Sequence, residues 1–168
     1  MKRTTLAAAA AAVIGVVPLA LVVTSPAQAA SSYSCDGSRA TIVGTPGSDE
    51  IEGANGRDVI VALSGNDEID GNGGNDVICA GAGNDEVEGG SGTDRIFGDS
   101  GSDEIDGDSA NDRIYGGPGH DDIEGSGGND KLYGQGGRDV VEGGSGKDVV
   151  SGGSGKDRVY QGSEPDDD

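Results

Sequence analysis

Tryptophan is absent from the 168 residues, and the aromatic side chains are one Phe and four Tyr. A chain with so few large apolar groups has little from which to build a conventional core. Basic residues are scarce as well: 11 Lys and Arg stand against 31 Asp and Glu, for a net charge of −20. That balance excludes nucleic acid as a ligand, because affinity for a phosphate backbone comes from clustered Lys and Arg. One His and two Cys are too few for the nitrogen and sulfur sites that hold structural zinc. No nucleophile–His–Asp arrangement, phosphate-binding loop or zinc motif stands out, and the expectation is a protein that is not an enzyme.

Long apolar runs are missing too, except at the start. Lys2 and Arg3 precede an apolar stretch from Leu6 to Val23, and Ala27-Gln28-Ala29 reads as a small-x-small cleavage site. This is the pattern of a secretory signal peptide. Residues 1–29 are therefore set apart from the fold, and the rest is expected to be secreted, extracellular and free of any membrane span after cleavage. Losing Lys2 and Arg3 leaves 9 basic residues against 31 acidic ones, a charge of −22. Apolar burial alone does not collapse a chain this polar and this charged. Either it stays disordered or something cationic completes it.

Glycine and aspartate are abundant, and they recur with a strict period. From Gly44 to Tyr160 the chain divides into thirteen blocks of nine without insertion or deletion, beginning GTPGSDEIE, GANGRDVIV, ALSGNDEID. The sixth position of every block is aspartate: Asp49, Asp58, Asp67, Asp76, Asp85, Asp94, Asp103, Asp112, Asp121, Asp130, Asp139, Asp148 and Asp157. The eighth is always Ile, Val or Leu, and the fourth is Gly except at Ala110. A flexible glycine-rich linker has no reason to hold register over this length.

Within a block, the first six positions carry turn chemistry, since Gly permits φ > 0 and close backbone approach. The last three read as a short strand with one side chain pointing inward. One block cannot bury that side chain, but stacked blocks can. The strand triplets alternate: E-I-E, E-I-D and E-V-E in odd blocks, V-I-V, R-I-F and K-L-Y in even ones. The structural period is then eighteen, with two strands per coil and two separate parallel sheets. Positions seven and nine should face solvent. One face would be acidic, and the other apolar at first, then basic and aromatic through Arg95, Phe97, Arg113, Tyr115, Lys131 and Tyr133. Thr41-Ile42-Val43 fits the frame as an extra even-side strand. Residues 30–43 thus form a capping segment, residues 44–160 the array, and residues 161–168 an acidic, disordered tail.

A turn with one carboxylate and many carbonyls is a hard-oxygen site. Calcium accepts six to eight oxygens in flexible geometry, whereas magnesium holds its waters. The alternative is that the aspartates only cap turns. The blocks GGSGTDRIF, GGPGHDDIE and GGSGKDVVS resemble the G-G-x-G-x-D-x-U-x nonapeptide of the RTX, or haemolysin-type, calcium-binding family. That resemblance implies an all-β, right-handed parallel β-roll with two short strands per 18-residue coil. It also implies calcium between same-side turns of successive coils, held by turn carbonyls and the thirteen aspartates named above. The family's toxin and hydrolase activities do not transfer, because the chain shows only a leader and repeats. Coordination logic leads to about eight to eleven ions. Alanine at Ala62, Ala80 or Ala110 would weaken a site if φ there is positive.

Cys35 and Cys79 are expected to form a disulfide, as paired cysteines in secreted chains usually do. It would pin the capping segment across the even face. His120, at the fifth position of its block, reads as a solvated turn residue. The functional expectation is a secreted calcium-binding protein. Its alternative is an extracellular adhesion or matrix protein that contacts a cell-surface or polysaccharide partner through calcium-dependent folding.

Overall fold

A computed structural model describes residues 32–162; the leader and residues 163–168 of the acidic tail lie outside it. The odd blocks supply Glu50–Glu52, Glu68–Asp70, Glu86–Glu88, Glu104–Asp106, Asp122–Glu124, Val140–Glu142 and Arg158–Tyr160, which form one parallel seven-stranded sheet. The even blocks build a second parallel sheet of Val59–Val61, Val77–Ala82, Arg95–Ser100, Arg113–Gly119, Lys131–Gly137 and Val149–Ser151. Ile42–Val43 starts that sheet beside Val59–Val61, as the frame predicts. Partners are 18 residues apart in both sheets, as in Ile105 against Ile123 and Ile114 against Leu132. The architecture is a parallel β-roll of the expected kind.

The eighth-position side chains meet between the sheets. Ile60, Ile69, Ile78, Val87, Ile96, Ile105, Ile114, Ile123, Leu132 and Val141 are at most 1% exposed and form one continuous cluster. The period-two alternation of a strand sends these side chains inward and their flanking residues outward. Central even strands outgrow the expected triplet: Arg113–Gly119 and Lys131–Gly137 continue their pairing through the turn glycines.

The capping segment is a hairpin. Ser34–Cys35 pairs antiparallel with Ser38–Arg39 around Asp36 (φ 49°) and Gly37 (φ 76°), both in the left-handed conformation that a two-residue hairpin turn favours. The Cys35–Cys79 disulfide fastens it to the even sheet with a Cα–Cα distance of 5.8 Å. Arg95 forms an ion pair with Asp36 of the same hairpin. The expected exposure of positions seven and nine fails under this cap. Val59, Val61 and Val77 are buried there with Cys35, Ala40 and Val43 in a second apolar cluster.

Beyond the cap the even face is open, and Phe97, Tyr115 and Tyr133 stack with ring centroids 5.1 Å apart at each step. On the other face, Glu50, Glu68, Glu86, Glu104 and Asp122 fall in register one above another. At the far end, the inward-position Val159 is 42% exposed because no further described coil covers it, whereas Val149, 52% exposed, stands at the outward seventh position. Among the described residues no helix is long and apolar enough to cross a membrane.

Candidate metal centre

Each turn is shaped by two special backbone positions. The second residue of the block adopts positive φ from the third block onward, from Leu63 (86°) and Asn72 (63°) to Gly144 (77°) and Gly153 (93°). The fourth is mostly glycine at φ between 139° and 155°, a region closed to other residues. There the glycine is also a spatial requirement. A Cβ at Gly101 (φ 147°) would overlap the Gly83 carbonyl oxygen of the preceding coil and sit 3.1 Å from Asp103 Oδ1. The bare Cα thus lets a carbonyl oxygen and a carboxylate oxygen converge beside it.

The alanines separate into two cases. Ala110 has φ 84° and bears the strain the sequence suggests. Ala62 and Ala80 do not have positive φ; they are fully buried members of the core. The first position therefore does not need glycine for its backbone angle, and the strained non-glycine sites lie at the second position instead, as at Gln135 (74°).

The sixth-position aspartates form two ladders, one along each edge of the roll. From Asp67 onward, Oδ1 of each accepts a hydrogen bond from the backbone N–H of the aspartate 18 residues earlier. The bonds run from Asp49 N–H to Asp67, from Asp58 N–H to Asp76, and so on to Asp139 N–H to Asp157, at 2.6–3.1 Å. The ladder brings aspartates of successive coils together. Asp49, Asp58, Asp148 and Asp157 lie at its ends, whereas Asp67 through Asp139 are at most 2% exposed.

The second oxygens are left over. Oδ2 of Asp67, Asp76, Asp85, Asp94, Asp103, Asp112, Asp121, Asp130, Asp139 and Asp148 is buried and receives no hydrogen bond. A buried charged oxygen without a partner is unfavourable by more than the roughly 1–3 kcal/mol of a neutral group. Burial pushes the carboxyls from Asp67 to Asp139 up, to about 6 at Asp94 and Asp121 and about 7 at Asp103 and Asp112, against the opposing effect of the ladder N–H bonds. Neighbouring carboxylates, such as Asp85 and Asp121 beside Asp103, push in the same direction. Each such oxygen calls for either a proton or a cation.

Among the described residues no three Asp, Glu, His or Cys side chains converge as a ready-made metal cluster. The repeat places one aspartate in each turn, so the other oxygens available to an ion are backbone carbonyls, such as that of Gly101 beside Asp121. Such an oxygen-only set suits calcium, which accepts carboxylates and carbonyls together.

A second ladder, at the fifth position, was not foreseen. Side chains there accept the backbone N–H 18 residues later: Asn66 from Asn84, Asn84 from Ser102, Asn111 from Asn129 and Asn129 from Lys147. His120 belongs to it, since its Nδ1 accepts the Arg138 N–H at 2.9 Å. It is more than a solvated turn residue: it splices two coils. The recurrence of Asn at this position was the available signal.

The RTX calcium-binding nonapeptide repeat model matches the chain in four copies, over residues 37–67, 52–87, 88–123 and 124–159. No curated protein matches it. With the nonapeptide register, the parallel roll and the aspartate ladders in place, the chain belongs to the RTX calcium-binding nonapeptide repeat family.

Proposed function

We propose that the protein is secreted and that its roll folds outside the cell around calcium ions held between same-side turns two blocks apart. The observation that carries this reading is the row of buried Oδ2 atoms without donors. In this reading the sixth-position aspartates supply the charged ligands. The ladder N–H bonds orient each carboxyl by fixing Oδ1, and the fourth-position glycines admit the carbonyls of the adjoining coil. Calcium, when bound, supplies the positive charge that makes ionised carboxylates tolerable at these positions. The protein's own work is to space oxygens at the strand repeat and to exclude competing side chains from the turns. No catalytic step belongs to this reading.

The test compares array with tail. Asp94→Ala and Asp103→Ala should each shift a calcium titration, monitored by circular dichroism, to several-fold higher calcium. Asp166→Ala should leave the titration unchanged, since it lies past the repeats. Equal shifts from all three would remove the aspartates from the ligand set.

A second reading, calcium-dependent adhesion to a cell-surface or polysaccharide partner, draws support from the in-register acidic columns of the odd face. Capture of such a component only in the presence of calcium would favour it.

A further inference from the structure

We propose that the N-terminal end of the roll folds without calcium, that the ion sites begin at the turn of Asp67, and that calcium adds the remaining coils to this preformed end. The proposal rests on the calcium reading above and concerns which turns need the ion.

The first two aspartates differ from those that follow. Asp49 Oδ2 accepts the Thr45 N–H at 2.6 Å, and the Thr45 hydroxyl lies 3.0 Å from both Oδ1 and Oδ2. Asp58 Oδ2 accepts the Ala54 N–H at 2.8 Å, and its Oδ1 accepts the Thr41 hydroxyl at 3.0 Å. Both oxygens of both carboxylates have donors, so neither calls for a cation. From Asp67 to Asp148, Oδ2 has none.

The difference coincides with the backbone of the second position. Thr45 and Ala54 do not adopt positive φ, and their N–H groups turn back onto the aspartate four residues on. In later turns the second residue takes up the left-handed conformation and its N–H goes elsewhere. Asn72 donates to Asp70 Oδ1, Asp108 to Asp106 Oδ1 and Gly90 to Asp108 Oδ2. The donor that satisfies Asp49 and Asp58 is thereby withdrawn from the interior sites.

The same end also has the stabilisation that the rest lacks. The hairpin supplies a second apolar layer over Val59, Val61 and Val77, independent of the inner core. The disulfide joins residues 44 apart in sequence and ties the hairpin to the second even strand. Such a cross-link stabilises by restricting the unfolded chain, which units below about 40 residues usually need. Thr41 occupies the place of a preceding coil by receiving the Val59 N–H at 2.9 Å. The end is therefore closed on its outer side and satisfied in its turns, and it presents a strand edge on which the next coil can pair.

Hydrogen exchange with mass spectrometry on the oxidised protein tests this. In chelator, amides of residues 41–61 should be protected at least 10-fold over those of residues 85–160, and calcium should extend protection toward the C-terminal end. Native mass spectra should show no ion lost in Asp49→Asn or Asp58→Asn, and one or more lost in Asp85→Asn or Asp103→Asn. Reduction, or Cys35→Ser, should abolish the calcium-free protection. Uniform lack of protection in chelator, or loss of an ion from Asp49→Asn, overturns the proposal. Protection of 41–61 with no ions bound anywhere overturns the calcium reading, and with it the assignment of sites from Asp67 onward.

Discussion

Transferred from chelator to roughly 10 mM calcium, above the range of extracellular calcium modules, the protein should gain β-sheet signal in one cooperative step, with only its N-terminal coil ordered beforehand. Charge and cavity chemistry both require it. Without the leader the side chains sum to −22, from 9 basic and 31 acidic residues, and such self-repulsion opposes compaction. The roll compounds this by burying nine aspartates to within 2% of full burial. Folding the calcium-free chain at neutral pH would desolvate those carboxylates with Oδ2 unpaired. A divalent ion between turns reverses both terms, so binding and folding become one equilibrium. Each strand contributes one side chain to the inner core, and each coil is stabilised by its neighbours, which makes the transition cooperative along the axis. A far-ultraviolet spectrum that does not change between chelator and calcium would contradict this.

Acid should substitute in part for calcium. The interior aspartates have pKa values raised above the ordinary carboxylate value, chiefly by burial, to about 7 at Asp103 and Asp112 and about 6 at Asp94 and Asp121. A raised folded-state pKa means that the roll holds these protons more tightly than the unfolded chain does. Their contribution to stability is complete below the unfolded value of 3.8 and is lost as pH rises through about 6 to 7. In chelator, β-sheet signal should therefore appear as pH falls from 7 toward 4. With calcium present the sign reverses, since protons and ions compete for the same oxygens. The calcium needed for half-maximal signal should rise as pH drops below about 7. Both slopes come from one pH-by-calcium matrix of circular dichroism spectra, and a calcium midpoint indifferent to pH would remove the buried carboxylates from the site.

The fold was largely legible because the period was. Thirteen aspartates in register and an alternating triplet dictate two parallel sheets with an 18-residue pitch, and Ile105 against Ile123 shows that register. The extra strand at Ile42–Val43 followed from the same frame, and the Cys35–Cys79 pairing from the habit of two cysteines in a secreted chain to pair. What stayed hidden depended on backbone angles and on tertiary covering. The triplet V-I-V at Val59–Val61 looks like any outward-facing strand until the hairpin is laid across it. The strained positive-φ residues sit at the second position, where Leu63 and Gln135 give no composition signal, while Ala62 and Ala80 only imitate strained sites. The capped state of Asp49 and Asp58 rests on N–H directions at Thr45 and Ala54, which a sequence pattern does not encode. His120 gained its role from a backbone N–H 18 residues away, that of Arg138, and the recurrence of Asn at the fifth position was its only trace in the sequence.

Counting the ions is the most direct test of whether these turns are calcium sites. Eleven aspartate pairs are joined by ladder hydrogen bonds, from Asp49–Asp67 to Asp139–Asp157. The two pairs that include Asp49 or Asp58 have one carboxylate already satisfied. Native mass spectrometry in calcium should therefore record about eight to eleven ions per chain, centred on nine. Their charge offsets most of the −22, so the loaded protein should approach neutrality. Fewer than about four ions would mean that most of the buried aspartates are not ligands.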